Sequence, residues 1–179
     1  METINHHLVM QDRERSGREA RPTATVIESQ SVKTIESGGI RGYDAGRKIK
    51  GRKRHALVDT DGRALKLPVR AADIKDRDGA RPLLRASRPR WPFVTLVFAD
   101  AGYQGPWVAG ASRIKVEIAR KPKNQVVFVV LSIRLATERF FAWINRNRRL
   151  AKDFEATIGS AEPFLHAASA ILLLRRLAR

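Results

Sequence analysis

The chain has 179 residues, no cysteine, and 35 lysines and arginines against 18 aspartates and glutamates, a net charge of +17. Its length suits one domain with a real core, and its charge points to a polyanionic partner, DNA or RNA. Without cysteine, disulfides and thiolate metal sites are excluded; no apolar run approaches the ~20 residues that span a bilayer and the first ten residues lack the apolar centre of a signal peptide, so a cytoplasmic protein with no membrane contact is expected.

Residues 1–22 are polar, show no repeating apolar face and read as an arm; the adjacent His6 and His7 are assigned no role. Residues 23–27 are β-branched and read as a strand, with Glu28 directly after it. Beyond a turn at Gly38-Gly39, residues 41–54 mix glycine with seven basic residues and one acid. Glycines let a backbone approach phosphate closely, so this reads as a nucleic-acid-contacting loop, with Arg47, Lys48, Lys50, Arg52, Lys53 and Arg54 as its cations.

Residues 56–60 and 63–69 flank Asp61-Gly62, a pair that favours a type I′ hairpin turn. Asp73, Asp76 and Asp78 lack the glutamate of a calcium loop, so Asp76 or Asp78 is expected to cap a helix through Ala80, Leu83 and Leu84. Residues 93–99 form a nearly continuous apolar strand, and Asp100 projects from its tip into a glycine-bearing loop, a usual place for catalytic groups. A helical piece over 107–112, a strand over 115–119 and a basic loop over 121–124 follow; residues 126–131 fit strand or helix equally.

A helix over 133–155 is predicted next. At ~100° per residue, Phe140, Trp143, Ile144, Leu150, Ala151 and Phe154 gather on one side. Glu138 falls opposite, near Arg134, Asn145 and Arg149. It reads either as half of a surface salt bridge with Arg134 or as a metal ligand among phosphate-binding arginines. Ser160 then heads a final helix carrying Leu165, Ala168, Ile171, Leu172 and Leu174, ending in cations that suit a helix C-terminus.

Three acids stand out by position: Glu28, Asp100 and Glu138. Three convergent carboxylates can hold two divalent ions roughly 3.5 to 4 Å apart and activate a water or 3′-hydroxyl against a phosphodiester. Oxygen ligands suit Mg²⁺ or Mn²⁺.

The strings Val26-Ile27-Glu28-Ser29-Gln30-Ser31-Val32-Lys33, Gly42-Tyr43-Asp44-Ala45-Gly46, Lys50-Gly51-Arg52-Lys53-Arg54-His55, Ala99-Asp100-Ala101-Gly102-Tyr103 and Thr137-Glu138-Arg139-Phe140-Phe141-Ala142-Trp143, followed by Arg146-Asn147-Arg148-Arg149-Leu150, resemble the catalytic part of DDE transposases of the bacterial insertion-sequence-five group. The resemblance implies an α/β, ribonuclease-H-like mixed sheet, its first three strands antiparallel, flanked by helices and closed by a C-terminal helix. It divides the chain into an arm (1–22), a catalytic domain (23–155) and the C-terminal helix (156–179). It also implies two-metal cleavage at transposon ends and strand transfer into target DNA by a homodimer on DNA.

Carried over by position, Asp100 matches the family's second aspartate, Glu138 its glutamate, and Arg134 the arginine four residues before it. Glu28 stands where the family has aspartate. The extra methylene displaces the carboxylate beyond the ~0.5 Å tolerance of a preorganised site, so weakened or absent catalysis is expected. Asn145 stands at the family's basic position, with Arg146 or Arg149 as replacement. Complete members carry a further N-terminal region, so the chain reads as the second frame of a split gene or a truncated copy. Two other readings fit the residues: a catalytically dead, basic DNA-binding fragment, and a ribonuclease-H-like nuclease that cleaves without joining.

Overall fold

In the computed structural model, which describes residues 1–36, 39–105, 114–119 and 132–179 with 132–134 as backbone alone, the centre of the sheet is a long antiparallel pair. Strand β1 (Ala24–Lys33) pairs with β3 (Ile49–Asp59) from Thr25↔Asp59 to Lys33↔Gly51. The far edge of β3 is covered in turn by β2 (Gly42–Asp44), β5 (Val69–Ala71) and β4 (Ala64–Lys66), all antiparallel. Beyond β1 the direction changes: β6 (Leu96–Ala99) and then β7 (Lys115–Ile118) add in parallel, giving the order β2-β3-β1-β6-β7.

Period-2 alternation along β1 sends Val26 and Ile27 to opposite faces, and each face is buried. On one face Ile27, Leu57 and Val97 pack against Ala80, Leu83 and Leu84 of α2 (Asp76–Ser87). On the other, Val26, Ala56 and Val58 meet Ala136, Phe140 and Ile144 of α3 (Ser132–Ile144) and Leu165 of α4 (Ile158–Leu177). This mixed sheet, antiparallel at its start and clad in helices, is the ribonuclease-H-like arrangement that the resemblance implies.

Several local expectations are corrected. The N-terminal segment, expected as a polar arm, contains a helix, α1 (Glu2–Arg15), that docks on the fold. It lacks an apolar stripe because it docks largely through polar pairs: Asn5 Nδ2 donates to Ala64 O at 2.7 Å, Arg13 reaches Asp59 at 2.5 Å, and Asp12 accepts from Arg63 at 2.5 Å. Glu28 lies inside β1 rather than after it. The 41–54 segment is two strands and a turn rather than a loop.

The hairpin after Asp59 has a three-residue loop. Gly62 N–H donates to Asp59 O and Asp59 N–H to Arg63 O, and Gly62 takes φ +85° while Asp61 stays out of the left-handed region. That is a type I turn followed by a left-handed glycine, not type I′.

The late helix stops at Ile144. The Asn147 backbone N–H and its side-chain amide both donate to Ile144 O at 3.0 Å, closing a turn that ends the helix. A 3-10 turn, Arg148–Leu150, follows, and Phe154 ends 41% exposed instead of on the apolar face. Helix α4 begins earlier than expected, with Thr157 as N-cap and Ser160 completing the capping box. The Gly38 turn, the 107–112 helix, the 121–124 loop and the 126–131 segment fall on or within stretches outside the described residues.

Candidate active site

The parallel register of β1 and β6 pairs Val26 with Phe98. Asp100 keeps an extended backbone (φ −80°, ψ 177°) past the end of β6, so the same register continued by two residues sets Asp100 beside Glu28. At the usual strand spacing of about 4.8 Å, that continuation puts the two backbones side by side just past the last paired residues, Val26 and Phe98. Glu28 is half-buried. Asp100 Oδ1 accepts a hydrogen bond from Gly102 N–H at 2.8 Å, which turns the chain into a 3-10 turn, Ala101–Tyr103.

A second group of polar side chains adjoins this pair from the α2 side. Helix α2 has Lys75 as its N-cap position and no side-chain cap, so Asp76 and Asp78 do not cap it. Asp76 instead accepts a hydrogen bond from Ser29 Oγ at 2.8 Å and pairs with Lys53 Nζ at 3.0 Å. A Cβ on Gly102 would stand 3.0 Å from Asp100 Oδ1 and 3.6 Å from Asp76 Oδ2. Any side chain at this position would therefore crowd both carboxylates.

Tyr103 is buried beside them. Burial, and then the negative charges of Asp76, Glu28 and Asp100, hold its phenol well above the ordinary tyrosine range, while Ser29 acts in the opposite direction. Further along β1, Ser31 Oγ donates to Asp44 Oδ2 at 2.6 Å. Burial raises the Asp44 pKa, but the hydrogen bonds from Ser31 and the Arg47 N–H, with the Lys53 charge, bring it below the usual carboxylate value. Arg47 Nη1 lies 3.2 Å from Ser29 Oγ. A cleft of about 540 Å³ opens here, lined by Arg47, Lys53, Lys75, Asp76, Arg77 and Gly102 among others.

Glu138 is exposed on α3, and among the described residues no group of three acids or histidines is arranged to hold a metal ion. The donor chemistry of Glu28, Asp100 and Glu138 suits a hard divalent ion, but among the described residues the three do not form a group arranged to hold one.

The expected DNA contacts divide by burial. Arg47, Lys48 and Lys50 are exposed. Arg52, Lys53 and Arg54 are not available to phosphate, because each is buried and committed to partners within the fold. Arg52 binds Asp153 and the carbonyls of Ile40, Glu155, Ala156 and Thr157. Arg54 donates to the carbonyls of Leu150 and Lys152, and Lys53 to that of Ile74. These cations close the 150–157 segment and the start of α2 onto β3.

Arg146 is exposed and lines a cleft with Trp143 and Arg176. Arg149 is exposed too, but pairs with Glu155 at 2.9 Å and lies over the Phe164 ring. The side chain of Arg134 is outside the described residues. Sequence reasoning missed Ser29, Asp76 and Tyr103. Only the alternation in Glu28-Ser29-Gln30-Ser31 carried a signal, since it puts the serines on the face opposite Glu28.

The family described as transposase DDE domain matches residues 19–173. No curated protein and no solved structure matches the chain.

Proposed function

The chain belongs to the transposase DDE domain family, and on that basis we propose that it is a transposase of the insertion-sequence-five group that cleaves DNA at transposon ends and transfers the strand into target DNA, with Glu28, Asp100 and Glu138 as its acids. The observation that supports this reading most is the parallel pairing of β1 with β6, whose register continued two residues past Val26 and Phe98 leads to Glu28 and Asp100. Mg²⁺ or Mn²⁺ held by these carboxylates would supply a Lewis acid for the attacking and leaving oxygens. The chain's own contribution is positional. Gly102 N–H orients Asp100, Ser29 and Lys53 hold Asp76 close by, and exposed Arg47, Lys48, Lys50 and Arg146 offer charge to the DNA backbone.

Glu138 joins the other two acids, in this reading, when α3 adjusts on DNA bound as a homodimer in the cytoplasm. A second reading is favoured by the exposed position of Glu138 and by Glu28 in place of aspartate: a DNA-binding fragment without catalysis. A strand-transfer assay in Mg²⁺ and in Mn²⁺ separates the two. Joined products that increase in Glu28→Asp and vanish in Asp100→Ala support the transposase; DNA binding without products in the native chain and in Glu28→Asp supports the fragment. Cleaved but unjoined products would indicate a nuclease.

A further inference from the structure

At the end of the sheet away from the α1 docking site, a cleft of about 600 Å³ is lined by Lys33, Arg41, Tyr43, Lys48, Lys50 and one acid, Glu36. Its central feature is a tyrosine on the surface: Tyr43 is 55% exposed. Tyr43 sits directly across from Lys50 in the β2–β3 ladder, so ring and ammonium rise from the same face. The turn between these strands is held by the Arg47 N–H donating to Asp44 Oδ1 at 3.0 Å and by Lys48 in a left-handed conformation, φ 55°. Arg41 donates to the carbonyls of Ile35 and Glu36, which ties the opposite rim in place.

We propose that this cleft holds an unpaired stretch of DNA, with one base stacked on Tyr43 and neighbouring phosphates on Lys33, Arg41, Lys48 and Lys50; the inference rests on DNA being the substrate. A duplex presents a rail of phosphates along its side but keeps its base faces inside the stack, so it would satisfy the cations and leave the ring unused. An unpaired strand uses both, the combination of aromatic platform and positive groove that marks single-strand binding. Four cations against one acid also disfavour a neutral peptide as occupant. The position suits the chemistry: β1 ends at Lys33, about 17 Å beyond Glu28 at 3.3 Å per residue, and alternation from Ala56, the partner of Glu28, puts Lys50 on the face that carries Glu28. A few nucleotides of unpaired strand would connect the cleft with the acids.

The test is fluorescence anisotropy of the full chain with a labelled oligothymidylate and with a labelled duplex of equal length. Tyr43→Ala should weaken single-strand binding about tenfold or more while leaving the duplex unchanged. Tyr43→Trp should keep single-strand affinity, and Lys50→Ala should weaken both probes and reduce the salt dependence by about one phosphate contact. Circular dichroism of each variant checks the fold, which an exposed ring does not support. If Tyr43→Ala leaves single-strand binding unchanged, or weakens both probes alike, the cleft assignment is overturned while the DNA reading stands. If the native chain binds neither probe, both fall.

Discussion

Lys53 Nζ lies 3.0 Å from the Asp76 carboxylate and 3.4 Å from that of Asp44, so one buried ammonium holds two acids together on the α2 side of the Glu28–Asp100 pair. Removing the charge leaves both carboxylates facing each other on the wall of the cleft, partly open to water. Lys53→Met is expected to lower unfolding free energy by about 1–2 kcal/mol, less than breaking a fully buried pair from one side. Urea denaturation measures it, and Asp44→Asn added to Lys53→Met should restore part of the loss.

Burial distinguishes cations that build the fold from those left exposed to solvent. Arg52→Ala removes the shared donor of Asp153 and several carbonyls and should cost about 3–5 kcal/mol of stability. Lys48→Ala, at an exposed turn, should change stability by no more than ~0.5 kcal/mol, apart from any relief of its left-handed backbone. Thermal melts beside DNA titrations distinguish them: a folded Arg52→Ala chain with normal melting would contradict the structural role assigned to that guanidinium.

Gly62 couples the β3–β4 hairpin to the helix that carries Glu138. Its φ of +85° disfavours a side chain by roughly 1–2 kcal/mol, and a Cβ there would come 2.8 Å from Ala136 O. Gly62→Ala should therefore destabilise the chain and shift α3 outward. If Glu138 is catalytic, strand transfer should fall in Gly62→Ala at temperatures where the variant remains folded; unchanged activity in the folded variant would separate α3 from the chemistry.

His55 and His166 are both buried, and burial brings each imidazole down to about 4, against the partial opposing pull of Asp76 on His55 and Glu2 on His166. Both are neutral in the folded chain at neutral pH, whereas the unfolded chain takes up their protons below about pH 6.5. Stability is therefore complete above that value and is lost as pH falls from about 6.5 towards 4, by the order of 3 kcal/mol per histidine. Urea midpoints across this window should fall with pH, and the slope should flatten in the His55→Gln, His166→Gln double variant. A native profile that is already flat would sink the argument.

What the amino-acid order determined by itself is what short-range physics controls. β-Branched residues marked the strand through Val26-Ile27, a nearly continuous apolar run marked the one ending at Ala99, and the Asp61-Gly62 pair located a hairpin. The Ala80-Leu83-Leu84 spacing marked a helix, and the ordered strings around Glu28, Asp100 and Glu138 carried the family resemblance. Tertiary structure decided what depends on partners far along the chain. Arg52 and Arg54 sit in a basic run that looks like a DNA surface, yet their acceptors lie around residues 150–157, about a hundred positions away. Asp76 looked like a helix cap until the fold brought Ser29 and Lys53 to it. Helix α1 carries no apolar stripe because buried ion pairs dock it, and pairing of that kind leaves no periodic trace in sequence. The candidate site follows the same division: Glu28 and Asp100 stood out in the sequence, but the strands that carry them lie side by side only through the parallel pairing of β1 with β6, which no local pattern encodes.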